Sequence, residues 1–320
     1  MFTMKKITIT AALSCSLLLQ GCAPSSYNLS KPQPSPNAYE SSAQLNKQTI
    51  QVVDQRSDKT APFTSGILPS ALMYEGTVLK QVDFLESQLA EEFAARDLPL
   101  TLGEGDNKLE ILRFNMRNHR TNGFTPFITF TMLKGKLETT KGSYPVAVYV
   151  KRGKVPVWSF DEIIEPTLNE PMSLVVKELS AKINQQLMGG KLSDEKTQTL
   201  IDSIKAAGVK ANYLDVYELG FSNNPIALPY LRELVKSEDE YLRLAAISSL
   251  GNMKDDASVQ LLIDLYEGTG SWSDRAMALK ALGDIGNTVT YSYLQKQNEL
   301  LQSDGSKEGL WNREIIQLYL

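Results

Sequence analysis

The sequence predicts an α+β domain, a two-layer antiparallel sheet with two helices over residues 46–190, followed by an all-α solenoid over 191–320. Two observations carry that division. Segments with a period of two dominate the first stretch, whereas Leu-Gly pairs recur at a fixed interval in the second. A third observation bounds the rest: 320 residues, 42% hydrophobic and 22% charged, is a soluble globular composition long enough for two domains.

The elements follow in chain order. Thr49–Asp54 is rich in β-branched residues and ends at the polar turn Gln55–Asp58, so it reads as a strand. Residues 78–96 place Val78, Val82, Leu85, Leu89 and Phe93 three or four apart, an amphipathic helix stopped before Pro99. In 109–119, Leu112, Phe114 and Met116 alternate with Arg113, Asn115, Arg117 and His119, giving one buried and one wet face. Phe127–Leu133 and Val146–Val150 supply two more strands, with Gly142 and Ser143 turning the chain between them and Gly153 leading to a further segment, Val155–Phe160. A second helix starts near Glu170-Pro171, runs through Leu174, Val175, Leu179, Ile183 and Leu187, and ends at Gly189-Gly190.

The repeats are legible as spacing. Leu219-Gly220, Leu250-Gly251 and Leu282-Gly283 keep step with Leu200, Leu231 and Leu262 upstream. Asn224-Pro225 places a cap and then a proline at the first helical position. Ser237 with Glu240, and Ser271 with Asp274, have capping-box spacing, and Gly251 and Gly283 stand where a left-handed cap is expected. Arg243–Gly251 and Arg275–Gly283 repeat one pattern, with an arginine opening the second helix of each pair. These residues resemble HEAT-like repeats of the short, phycobilisome-lyase type. The first unit departs, with Asn212 or Tyr213 in place of the arginine, and the unit from 288 onward is irregular, as end units of a solenoid are.

The amino terminus carries the most specific motif. Lys5 and Lys6 precede an apolar run, Ile7–Leu19, too short for a bilayer-spanning helix but suited to a secretory signal. It ends in Leu19-Gln20-Gly21-Cys22, which resembles a bacterial lipobox; Gln20 departs from the small residue usual there. The resemblance implies cleavage after residue 21, acylation of Cys22 with diacylglyceryl and palmitoyl-type chains, and, with Ala23 next, sorting to the periplasmic face of the outer membrane. Residues 22–45 hold four prolines and six serines and read as a tether. Extended as polyproline it could reach about 70 Å. The order of elements over 46–188, with Val-Val-Asp-Gln-Arg closing the first strand, resembles YajG-like and related transport-auxiliary envelope lipoproteins.

Charge narrows the function classes. A net charge of −4 argues against nucleic acid, and one histidine with two cysteines leaves no zinc-finger or iron–sulfur set. His119 lies on the wet strand face without a partnered nucleophile, so no enzyme and no cofactor or metal are expected. Gly103–Asp106, with no third glycine, reads as a turn, and Asp54 with Asp58 fall far short of a calcium loop. Residues 108–154 carry ten Lys or Arg against Glu110 and Glu138, while 191–320 hold 13 basic and 19 acidic residues. Arg113, Arg117, Lys134, Lys136, Lys151 and Arg152 are the candidate surface for an acidic partner or anionic lipid, or for the acidic repeats of the same chain. Tyr266 and Trp272, flanking the Gly268–Gly270 loop, are candidate anchors for a protein partner. The expected function is a lipid-anchored adaptor that binds another envelope protein. The alternative is an envelope lipoprotein that captures a lipid, glycan or anionic small molecule in its α+β domain.

Overall fold

A computed structural model describes residues 25–40, 46–68, 70–156 and 158–320. The expected leader and Cys22 lie outside the described residues. Among them, no helix is long and apolar enough to cross a membrane.

The α+β domain opens with β1 (Ser25–Asn28), β2 (Gln48–Asp54), β3 (Thr64–Gly66), β4 (Ser70–Tyr74) and β5 (Thr77–Val78), followed by helix α1 (Gln81–Ala95) and β6 (Leu100–Leu102). Three 13-residue strands, β7 (Asn107–His119), β8 (Phe127–Thr139) and β9 (Gly142–Lys154), then form an antiparallel meander. The main sheet is mixed, ordered β6-β2-β7-β8-β9 with β3 also on β7. β2 lies parallel to β7 because α1 intervenes between them, and a parallel partner requires such a crossover. Helix α2 (Glu170–Leu187) packs beside α1, entered through a short helix, Asp161–Ile164, and a π-helical turn, Glu165–Asn169.

Three local expectations are corrected. A bulge between Ile111 and Arg113 shifts the alternation, so Leu109 and Ile111 are buried while Leu112 faces out. Val78 belongs to exposed β5, not to the helix. The segment after Gly153 forms no strand; β9 runs to Lys154 and a helical turn begins at Asp161.

The tether expectation is overturned for residues 25–40. β1 pairs in parallel with β4, and the Ser35 amide donates to Glu92 Oε2 at 2.8 Å. Leu29 and Tyr39 are buried, and the Tyr39 hydroxyl donates to the Phe221 carbonyl at 2.8 Å. An extended Pro-rich chain leaves its amides free, and here strand β4, the Asn169 side chain and the Glu92 carboxylate take them up.

The solenoid contains four helix pairs among the described residues: α3 (Asp194–Ala207) with α4 (Tyr213–Phe221), α5 (Leu228–Leu234) with α6 (Glu240–Asn252), α7 (Val259–Gly268) with α8 (Trp272–Ile285), and α9 (Thr288–Leu300) with α10 (Lys307–Ile316). Asp239, not Ser237, caps α6, whereas Ser271 caps α8 as its spacing implies. Gly251 and Gly283 are not left-handed caps but lie inside α6 and α8. Their reason is close approach: a Cβ on Gly251 would sit 2.5 Å from Ala281 Cα, and one on Gly283 would sit 2.4 Å from the Tyr319 ring. Gly286, at φ +65°, is the left-handed cap of α8.

The repeats also supply a third layer that a two-layer domain lacks. One face of the sheet packs on α1 and α2, where Phe84, Leu89 and Leu179 meet Ile111, Leu133 and Val148. The opposite face carries Arg113, Arg117, Phe130, Lys134, Tyr149 and Lys151, and the second helices of the repeats cover it. Residues 146–152 of β9 are therefore buried without a break.

Candidate functional site

The seam between sheet and repeats gathers most of the candidate residues. Each second helix contributes one carboxylate to a cation of the α+β domain. Glu218 of α4 takes the Arg96 guanidinium in two hydrogen bonds, at 2.7 and 2.8 Å. Glu240 of α6 pairs with Lys151 at 2.6 Å, Asp284 of α8 with Lys182 at 2.6 Å, and Glu314 of α10 with Arg117 at 2.6 Å. Each second helix also brings an aromatic ring near its start. Tyr213 and Tyr241, tilted 42° to each other, form a corner that holds the Arg152 guanidinium 4.0 and 4.2 Å from their ring centres. Trp272 lies 5.1 Å from the Lys151 ammonium, and Trp311 lies 5.9 Å from the Arg117 guanidinium.

The centre of the seam is a ring of four buried charges. Lys280 forms ion pairs with Glu178 Oε1 at 2.8 Å and with Asp284 Oδ2 at 2.7 Å; Lys182 donates to Glu178 Oε1 at 2.6 Å and to Asp284 Oδ1 at 2.6 Å. Ser248 and Tyr319 complete it, the latter donating to Asp284 Oδ1 at 2.8 Å. Burial works to discharge Lys280, but Asp284 and Glu178 more than reverse it and raise its pKa above the usual lysine value. Burial likewise opposes the charge on Asp284, yet Lys182 and Lys280 hold its pKa below the usual carboxylate range. The ring is neutral as a whole, so it can sit in the interior without a counter-ion.

A second buried node ties the amino-terminal segment to both units. Arg96 donates to Glu92 at 3.1 Å and to the Asn37 carbonyl at 2.8 Å, and stacks 4.9 Å from the centre of the Tyr39 ring. Along the repeats, Arg243 pairs with Asp274 at 2.8 Å and Arg275 with Glu308 at 2.5 Å, so the recurrent arginine bonds each unit to the next.

The predicted surface is therefore largely an internal one. Arg113 reaches Glu314 at 3.7 Å and burial lowers its pKa; Lys134 donates to the Gln317 carbonyl at 2.7 Å. Arg152 is buried on Glu170 at 2.6 Å, and Trp272 packs 6.0 Å from Phe130 and 5.3 Å from Trp311. Burial lowers the pKa of Lys151, with Glu240 partly restoring it. Lys136 stays at the surface between Glu110 and Glu138. Tyr266 is set apart from the seam, edge-on to Tyr293 at 6.1 Å. The expected open surface for an acidic partner thus has its acids within the chain, as the charge segregation between the two units allowed. His119 packs edge-on against Trp311 at 5.2 Å, and burial, then Lys307 and Arg117, lower its pKa.

The ring residues were missed in the sequence. Their signal was present as two i,i+4 pairs, Glu178 with Lys182 and Lys280 with Asp284, each the ordinary pattern of an exposed helix face.

The profile of the family described as HEAT repeats matches residues 216–283. No curated protein matches the chain. Among solved structures, the chain is similar to a minor lipoprotein from Acinetobacter baumannii, at 15% identity and a TM-score of 0.26, over 45% of this chain and 92% of that one. It is also similar to an uncharacterized protein, at 10% identity and a TM-score of 0.30, over 51% of this chain and 99% of the other.

Proposed function

We propose that the protein is a non-catalytic, lipid-anchored scaffold of the bacterial outer membrane that presents the outer, first-helix face of its HEAT repeats to an envelope protein. The lipobox-like Leu19–Cys22 supports the anchor and the location. One observation carries the choice of face: every second helix is occupied by the α+β domain, Glu240 and Glu314 by cations of the sheet and Glu218 and Asp284 by Arg96 and Lys182 of its helices. The surface that remains open on the repeats is that of α3, α5, α7 and α9. On α9 it exposes Val289, Tyr291 and Leu300, apolar side chains that a protein interface would cover.

Truncation of the repeats is a poor test, because it would strip one sheet face and strand Lys151 and Lys182. Site-specific photocrosslinking in intact cells avoids this. A crosslinking residue at Val289 or Tyr291 should capture one defined envelope protein. Absence of a protein adduct from either position, and from exposed Thr199 on α3, would overturn the reading.

The ligand-capture alternative retains one observation, a cleft of about 670 Å³ lined in part by Arg56, Phe63, Ala71, Leu79 and Val82. Its expected anion contacts, Arg113 and Arg117, are both engaged by Glu314. Displacement of a fluorescent fatty acid from the cleft, lost on Phe63→Asp, would favour it.

A further inference from the structure

The end of the sheet opposite the β8–β9 turn carries apolar side chains that no packing explains. Phe124, in the β7–β8 connection, is 94% exposed, and Trp158, in the segment after β9, is 92% exposed. Ile67, Val155 and Phe160 are exposed beside them. Register places them together: His119 pairs with Ile128 and Phe127 with Lys154, so the β7–β8 tip and the chain after β9 share one edge of the molecule. Arg120 bridges the two segments, its guanidinium 5.6 Å from the Phe160 ring and its Nε donating to the Thr125 carbonyl.

The tip is built, not frayed. The Thr121 and Asn122 amides donate to Thr125 Oγ1 at 3.1 and 3.0 Å, and the Phe124 amide donates to Asn122 Oδ1 at 2.9 Å. Phe124 is thus held outward by a hydrogen-bonded turn. The Trp158 amide donates to Glu162 Oε1 at 2.9 Å, which fixes the second segment.

The first described strand starts at the same end. β3 runs parallel to β7 with Gly66 opposite Asn118, and the Asn118 side chain bonds both backbone groups of Leu68. β4 then starts at Ser70, whose amide donates to Thr64 Oγ1, and Ser25 of β1 stands opposite Ser70. Cys22 precedes Ser25 by three residues. Three residues span at most about 10 Å. Because residues 25–40 are bound along the domain, that short distance replaces the long reach expected of a tether.

We propose that this end of the sheet is a membrane-contact site, in which Phe124 and Trp158 seat in the headgroup region of a phospholipid bilayer. Large amphipathic and aromatic rings favour that region, and Arg120 with Lys154 stands at its rim to meet lipid phosphates. A lipid on Cys22 would hold the tip at the surface at high effective concentration. The orientation rests on the lipid-anchor reading above; the affinity of the tip for a bilayer does not.

The test couples the chain from Cys22 onward, which keeps every described residue, through its single thiol to a maleimide lipid in phosphatidylcholine–phosphatidylglycerol vesicles. The emission of Trp158 is the difference between this chain and its Trp158→Phe variant. It should shift to the blue, and most of it should be lost with lipids brominated in the upper acyl chain. Phe124→Ser should reduce that quenching several-fold. A Trp158 emission that stays at its water-exposed wavelength and unquenched, or quenching indifferent to Phe124→Ser, would overturn the proposal. The chemical coupling makes the outcome independent of what cells do to Cys22. An unmodified amino-terminal peptide from the cell-extracted protein would sink the anchor reading alone.

Discussion

In the second helices α6 and α8, residues 244–252 and 276–282 are buried in unbroken runs, whereas the first helix α7 buries Leu262 alone. A helix buried on all sides has neighbours on all sides. Here those neighbours are the flanking repeats, where Gly220 and Gly251 let α6 and α8 approach, and the sheet, which meets their acidic and aromatic side chains. The first helix α7 packs chiefly on α8 of its own unit, and α3 adds one bond outside the repeats, from Lys196 to the Ala38 carbonyl at 3.2 Å. The same repeat unit therefore has two unlike faces, an inner one committed to its own chain and an outer one open to solvent.

The comparison breaks most sharply at Asp284. Asp284→Ala leaves two buried ammonium groups with Glu178 as their one carboxylate, and losing one partner of a buried ion pair costs about 3–5 kcal/mol. Asp264→Ala on the outer α7, which loses only the Gln260 contact, should stay within about 0.5 kcal/mol. Urea midpoints measure both; equal losses would refute the inequality of the faces.

Glycines sharpen it next. Gly251→Ala puts a methyl 2.5 Å from Ala281 Cα and should cost about 1–3 kcal/mol by overpacking. Gly268→Ala, with nothing within 4 Å, should leave the thermal midpoint unchanged or slightly raised.

The pH dependence has two limbs. Asp284 has a depressed folded pKa, so its contribution is present above the unfolded value of about 3.9 and is lost as pH falls through the folded value. Lys280 has a raised folded pKa, so its contribution is present below the unfolded value of about 10.4 and is lost as pH rises through the folded value. Thermal midpoints should hold steady between these limits. A melt that weakens first near neutrality would show that the ring does not control it.

The smallest effect belongs to the rim. Glu314→Ala should cost about 1 kcal/mol or less, because Arg117 and Glu314 remain partly open to water, and the cost should shrink in strong salt. The Asp284→Ala loss should persist there. Comparing the two in 1 M NaCl separates buried from exposed members of one seam.

Several elements were legible because their signals are local. β2, α1, β7 and the caps Asn224 and Ser271 follow from alternation, helical spacing and side-chain capping within a few residues. The charge contrast between residues 108–154 and 191–320 was also readable, and with it the option of self-docking. The bulge at Ile111, the packing role of Gly251 and Gly283, and the anchoring of residues 25–40 were not. Each depends on an atom far away in sequence: β8 opposite the bulge, Ala281 and Tyr319 against the glycines, Glu92 beneath Ser35.

By itself the sequence determined the class of each unit, the repeat period, and the segregation of positive and negative charge, because periodicity and composition act through neighbouring residues. Only the tertiary structure decided which helices of the repeats face inward. Glu178 with Lys182 and Lys280 with Asp284 are each an ordinary pair on its own helix. They become a buried ring because α2 and α8 bring two pairs of opposite order together, each carboxylate meeting both ammonium groups, and burial then requires all four.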